Sequence, residues 1–127
     1  KKKKNDYKQS TTTITGLTTN FQMLEVCLCT PTSTFLGRID TITVNVSAIS
    51  SASIITLAIT EDAAGDTHIL TDTNSTVFTG KSTATKGAAM WKMDSIVYMN
   101  SNIAYVWLKT NTGTVNVDDV QITFEEE

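Results

Sequence analysis

The sequence predicts an all-β protein, and three observations carry that prediction. Of its 127 residues, 44 are the β-branched Thr, Ile and Val, which favour strands. Apolar and polar residues alternate with period two along much of the chain. No window of about a dozen residues shows the three- and four-residue apolar spacing of an amphipathic helix. The length suits one domain, and about eight to ten short strands separated by turns favour an antiparallel β-sandwich with jelly-roll topology.

An extended basic N-terminal arm is predicted over residues 1–10, before a sandwich domain over 11–127. The net charge of −3 combines a local +4 over residues 1–8 with −7 over the remainder. Such charged ends are either solvated tails or, because their signs are opposite, a clasp between neighbouring copies. The second interpretation identifies seven interaction residues: Lys1, Lys2, Lys3, Lys4, Glu125, Glu126 and Glu127. Nucleic acid is not an expected partner, because the acidic body would repel its phosphates.

The strands follow in chain order from the alternation. Residues 41–48 and 55–60 each place their aliphatic side chains on one face. Residues 103–108 are apolar on both faces, which predicts a central strand or one covered on both sides. Shorter patterns predict strands at 11–15, 21–28, 67–72, 76–79, 88–93 and 95–99.

The last strand, residues 115–124, changes phase in its middle. Val115 and Val117 share one face, and the pattern resumes with Val120 after Asp118 and Asp119, as in a β-bulge. Turns are predicted at 61–66 and 100–102, and a short hairpin turn at 111–113. The polar stretch 73–87 is expected to be an exposed hairpin or loop.

The residues that most often carry chemistry are sparse. Cys27 and Cys29 point to the same side of a strand, where a disulfide between them would be strained, so free buried or half-buried thiols are expected. His68 is the single histidine, which leaves no zinc cluster of the usual type. There is no nucleophile elbow and no phosphate-binding glycine loop. We therefore expect no enzyme activity, no catalytic residue and no cofactor.

Clustered carboxylates raise the question of calcium. The acidic turn 61–66 lacks the ligand spacing of an EF-hand, and turn aspartates commonly bond to their own backbone. If the chain does bind calcium, Asp118 and Asp119 at the bulge are the first candidates.

Two tryptophans are candidates for ligand contact. Trp91, and Trp107 with Tyr105 on the same strand face, would stack on a sugar ring if exposed; the alternative is core packing. No apolar run approaches the ~18 residues of a membrane span, and the charged start is followed by no apolar signal segment, so no membrane partner is expected.

Two segments, ITEDAAGDTHIL (59–70) and IAYVWLKTNTGTVNVDDVQITFE (103–125), resemble small all-β accessory proteins of tailed-phage virions. These are capsid decoration, cement or tail-attached proteins, in which a D-x-x-G-D turn and a closing K-T-x-x-G-T hairpin recur. The second segment also resembles the closing strands of jelly-roll carbohydrate-binding modules. The likeness covers the second half of the chain and implies no role for any single residue.

Together these features predict a non-enzymatic structural protein of a virus (phage) particle. In the virion it would be a decoration, cement or tail-attached subunit that bridges copies of itself and neighbouring virion proteins through its arm and sheet faces. The alternative is a carbohydrate- or receptor-binding β-sandwich module, for a surface glycan or receptor. It requires Trp91 or Trp107 to be exposed and a binding loop within 73–87.

Overall fold

The computed structural model describes residues 4–30, 32–47, 53–61, 76–84, 87–111 and 115–126, with the side chains of 4–5, 76–79 and 94–96 left aside. This part of the chain contains strands and connections but no helix, which confirms the all-β class. Its strands are β1 (Lys4–Gln9), β2 (Ile14–Leu17), β3 (Gln22–Cys27), β4 (Gly37–Ser47), β5 (Ser53–Thr60), β6 (Thr76–Ala84), β7 (Ala88–Met99), β8 (Ile103–Thr110) and β9 (Val115–Glu126).

The strands form two antiparallel sheets. Sheet A has five strands in the order β1-β9-β4-β7, with β2 also paired to β9, and sheet B has the order β3-β8-β5-β6. Most connections carry the chain from one sheet to the other, whereas β5 and β6 follow each other within sheet B. One buried cluster draws residues from both sheets, an arrangement consistent with a β-sandwich.

The predicted alternation places the core residues. The aliphatic residues at 42, 44 and 46 of β4 and at 55, 57 and 59 of β5 are buried, and the neighbours at 41, 43, 45 and 47 are half-buried on the outer face. β8 lies between β3 and β5, with Ala104, Val106 and Leu108 in the core. On the other face of β8, Trp107 packs with Phe21 and Ala58 in a second cluster. The prediction that this strand is central in its sheet is confirmed.

The predicted bulge in β9 is also confirmed. Asn45 of β4 lies opposite Asp119, but the next residue, Val46, lies opposite Val117. Asp118 is therefore the extra residue, and it lets Val117 and Val120 face the core on either side of it.

The N-terminal segment differs from the predicted arm. Residues 4–9 form β1, which pairs with β9 from Lys4 opposite Glu126 to Gln9 opposite Gln121. Alternation did not reveal this strand because it is polar, as edge strands often are. Where β1 ends, buried Ser10 continues the pairing: its N–H donates to the Val120 carbonyl at 2.9 Å, and its Oγ accepts from the Val120 N–H at 3.1 Å.

Two other sequence predictions need correction. The turn at 111–113 does not close a hairpin, because β8 belongs to sheet B and β9 to sheet A. The strand predicted at 76–79, by contrast, is confirmed: it is longer, covers residues 76–84 as β6 and pairs with β5, because a strand at a sheet edge tolerates polar residues. The two strands predicted at 88–93 and 95–99 are one strand, β7. The strand predicted at 67–72 lies outside the described residues, as does His68.

At the start of β4, the backbone passes close to an aromatic pair. The Phe35 and Phe124 rings meet edge to face with centroids 5.1 Å apart. A Cβ at Gly37 would lie 2.6 Å from Cζ of Phe35 and 3.0 Å from the Glu125 carbonyl oxygen. Only glycine therefore fits at position 37 without displacing the ring.

Candidate functional site

The structure brings the oppositely charged ends of the chain together. Lys4 and Glu126 face each other in the β1–β9 register, within one molecule. Glu125 accepts a hydrogen bond from Nη2 of Arg38 at 2.9 Å, on the outer face of sheet A. Lys1, Lys2, Lys3 and Glu127 lie outside the described residues.

Asp118 and Asp119, the calcium candidates, each accept a hydrogen bond from the neighbouring strand β4. Ser47 Oγ donates to Asp118 Oδ1 at 2.9 Å, and Asn45 Nδ2 donates to Asp119 Oδ1 at 2.6 Å. Among the described residues, no three His, Cys, Asp or Glu side chains are grouped as metal ligands would be. These contacts give both carboxylates a structural role at the bulge.

The two tryptophans that were candidates for ligand contact are buried, as the alternative of core packing predicted. Trp91 is 5% exposed and lies opposite Ile42 in the core of sheet A; its Nε1 has no hydrogen-bond partner in the described part of the chain. Trp107 is 3% exposed, and its Nε1 donates to Thr60 Oγ1 at 2.9 Å. The face of Trp107 was predicted correctly, but Phe21 and Ala58 cover it. Neither indole is free to stack on a sugar.

The cysteines are free thiols, as predicted. Cys29 is half-buried, with its Sγ 3.4 Å from Asn102 Oδ1, whereas Cys27 is exposed, contrary to the expectation of a buried or half-buried thiol. Burial raises the pKa of the Cys29 thiol, and the nearby Glu126 and Cys27 raise it further, while Lys8 acts in the opposite direction. The raised pKa disfavours the thiolate of Cys29, which is the nucleophilic form of a cysteine.

A polar groove on the outer face of sheet B was not predicted from the sequence. Its volume is about 300 Å³. Strand register places Thr56 of β5 directly opposite Lys81 of β6 on one side and opposite Lys109 of β8 on the other. The groove, which we call the lysine groove, is lined by Thr19, Thr56, Lys81, Lys109, Thr110 and Asn111.

One end of the lysine groove is fixed by hydrogen bonds. The Thr110 N–H donates to the Thr18 carbonyl at 2.9 Å, which holds the 18–20 turn against the end of β8. The Asn111 N–H donates to the Ile54 carbonyl at 3.1 Å, and the Ile54 N–H donates to Asn111 Oδ1 at 2.8 Å. The amide oxygen of Asn111 is engaged on β5, and its NH₂ group has no hydrogen-bond partner among the described residues.

Lys109 has a further contact that restricts it. Its Nζ lies 4.8 Å from the centroid of the Phe21 ring, a cation–π arrangement. The groove therefore offers two ammonium groups, threonine hydroxyls and a carboxamide, and its chemistry is hydrogen-bond donation toward an anionic or polyhydroxylated ligand. Sequence alone could not reveal this grouping, because residues 56, 81 and 109 meet only through the strand register.

In the described ranges, no helix is long and apolar enough to span a membrane. No protein-family model matches the chain. Comparison with curated proteins and with solved structures likewise found no match.

Proposed function

We propose that this chain is a non-enzymatic jelly-roll subunit of a virus (phage) particle, which bridges neighbouring subunits. The observation that carries the proposal is the strand order. A jelly roll places strands one, eight, three and six in one sheet, and strands two, seven, four and five in the other. If β1 is taken as an additional strand on β9, the order of β2 to β9 in sheets A and B matches this pattern, and this match supports the proposal. Viral capsid proteins are a major group of jelly rolls.

The outer face of sheet A supports a bridging role. The strand register defines two neighbouring rows of side chains across this face. One row contains Tyr7, Thr123, Thr41 and Lys92, and the other contains Gln9, Gln121, Thr43 and Met90. Apart from Lys92 these side chains are uncharged, and Tyr7, Met90 and Tyr98 on this face are about half exposed or more. Uncharged polar side chains with a few exposed apolar ones resemble the composition of protein interfaces. We place the contact with a neighbouring subunit here.

The N-terminal strand offers a second bridge. β1 pairs with β9 along a sheet edge, and the same pairing made by β1 of one copy on β9 of the next would link two subunits. Residues 1–4 and 125–127 carry opposite charges. These charges favour the same antiparallel register whether β1 and β9 belong to one molecule or to two.

A cross-linking experiment separates these arrangements. Chains labelled with ¹⁴N and ¹⁵N are unfolded together, refolded as an equal mixture and treated with a carbodiimide that joins lysine to carboxylate. If β1 of one copy pairs with β9 of another, cross-links between residues 1–4 and 125–127 will contain both isotopes. The mass measured by light scattering will then exceed that of one chain. Cross-links of a single isotope in a monomer would contradict bridging through β1.

The sheet A contact has its own test. Met90→Glu is expected to lower the light-scattering mass of any oligomer, because it places a charge at the centre of the proposed interface. Ile54→Glu is the matched control, since Ile54 is also exposed but lies on sheet B. An equal effect of the two substitutions would contradict the placement of the contact.

The alternative function, a carbohydrate- or receptor-binding module, stays a prediction. Jelly rolls also include lectin domains, but burial of Trp91 and Trp107 removes the ring-stacking contacts on which the alternative relied. A sugar would have to be bound through polar groups.

A further inference from the structure

We propose that the lysine groove on sheet B binds a sugar that carries a carboxylate or sulfate group. The proposal concerns a site on the opposite sheet from the proposed subunit contact, and it does not depend on the virion role. It rests on the charge, the fixed donors and the size of the groove.

Charge is the first argument. Beyond residue 8 the chain carries a local −7 and has five cations, two of which line this one groove. Lys81 and Lys109 flank Thr56 on adjacent strands, so their Cα atoms are about 10 Å apart. Side chains of this length can converge on one anion. Neither lysine forms an ion pair with a carboxylate of the described residues, and an anion bound between them would be attracted by both ammonium groups.

Preorganisation is the second argument. Asn111 is held through its backbone and its amide oxygen, and the Phe21 ring restricts Lys109. A ligand that used these donors would order few additional side chains, which lowers the entropic cost of binding.

Size and lining point to a sugar. A volume of about 300 Å³ is at the lower end for ligand sites and accommodates one or two sugar rings. Hydroxyls of Thr19 and Thr56 and the Asn111 amide match the hydroxyl groups of a sugar, while the lysines match its acid group. The acidic character of the remaining domain disfavours a polyanion such as nucleic acid.

The test is a titration of the ¹⁵N-labelled full chain followed by backbone amide shifts. The probes are glucuronic acid, glucose 6-sulfate, neutral glucose and inorganic sulfate. We expect saturable shifts at Thr19, Lys81 and Asn111 with the two acidic sugars, at Kd values of about 1 mM. Glucose and inorganic sulfate are expected to bind at least about fivefold more weakly, because each supplies only half of the contacts.

Variants locate the site. Lys81→Gln and Lys109→Gln are each expected to weaken binding of glucose 6-sulfate about fivefold or more. Lys92→Gln removes the same charge from an exposed lysine on sheet A and is expected to leave binding unchanged. Amide spectra of the ligand-free variants show whether each variant retains the fold. If Lys109→Gln is unstable, Lys81→Gln remains informative, because Lys81 has no aromatic contact among the described residues to lose.

Each alternative result would overturn the proposal. Equal binding of glucose and glucose 6-sulfate would exclude a role for the acid group. Inorganic sulfate binding as tightly as the sulfated sugar would exclude the sugar. Shifts that are absent, or that Lys92→Gln weakens as much as Lys81→Gln does, would exclude the groove. None of these results affects the subunit contact on sheet A.

Discussion

The buried hydrogen bond between Trp107 and Thr60 allows a sharp test of how sheet B is stabilised. The indole N–H and the threonine hydroxyl are 2.9 Å apart, in side chains that are 3% and 1% exposed. Thr60→Val keeps the shape of the side chain but removes the acceptor. The Trp107 N–H would then be buried without its partner, since Phe21 and Ala58 cover the indole.

The magnitude follows from two opposing effects. An unsatisfied buried donor costs about 1–3 kcal/mol. The extra methyl group of valine returns part of this, up to about 0.8 kcal/mol. We expect a net loss of about 1–2 kcal/mol in the free energy of unfolding, which for a chain of this length lowers the melting temperature by roughly 3–10 °C.

Thermal and urea unfolding followed by circular dichroism measures this loss. Thr56→Val is the matched control: Thr56 lies on the same strand and outer face, is half-buried, and makes no side-chain hydrogen bond to the described residues. Its substitution should change stability by less than about 0.5 kcal/mol. A second check is Trp107→Phe, which should cost less in the Thr60→Val background than in the wild type, because the donor is already unpaired there.

If Thr60→Val destabilised the protein no more than Thr56→Val, the hydrogen bond would not contribute to stability. An additive double mutant would lead to the same conclusion, because two residues that interact must show a coupling energy.

Three further predictions concern other parts of the fold. Gly37→Ala should destabilise the protein by about 1–3 kcal/mol in urea unfolding, because the added Cβ meets a packed ring; an unchanged midpoint would contradict this close packing. Ser10→Ala should cost about 1–2 kcal/mol by the same measurement, because the Val120 N–H loses its acceptor, and unaltered hydrogen exchange at Val120 would argue against that role. Iodoacetamide labelling, measured by mass spectrometry, should be faster at Cys27 than at Cys29 near pH 8, because the raised pKa of Cys29 disfavours its thiolate. The difference between the two labelling rates should narrow as the pH rises. Equal rates at pH 8 would refute this prediction.

Periodicity predicted the parts of the fold in which one face is buried. The alternation at 41–48 and 55–60 and the phase shift at Asp118 all correspond to core contacts, because an apolar residue that is out of phase would be exposed. The polar edge strand β1 was missed, and β6 was predicted only over 76–79, for the same reason: both strands contribute few apolar side chains in any register.

The candidate sites were harder to predict because exposure depends on tertiary packing. Trp107 was placed on the correct face, but its burial depends on Phe21, which is distant from it in the sequence. Likewise, Lys81 and Lys109 are 28 positions apart and become neighbours of Thr56 only through the order of strands in sheet B. The opposite charges of residues 1–4 and 125–127 are evident in the sequence. The sequence alone could not indicate that Lys4 and Glu126 face each other within one molecule.

The position of β9 has a consequence for how the protein reaches its native state. β1 and β2 both pair with β9, which is more than 95 residues later in the chain. During synthesis these first strands have to wait for the last one, with Ile14 and Leu17 still uncovered. Closing such a long loop is slow, so the folding rate should depend on the final strand more than on any local hairpin. In a ribosome-bound chain stalled before β9, both edges of the β4–β7 pair would therefore lack a neighbouring strand. A chaperone would have to protect these unpaired edges from pairing with other chains.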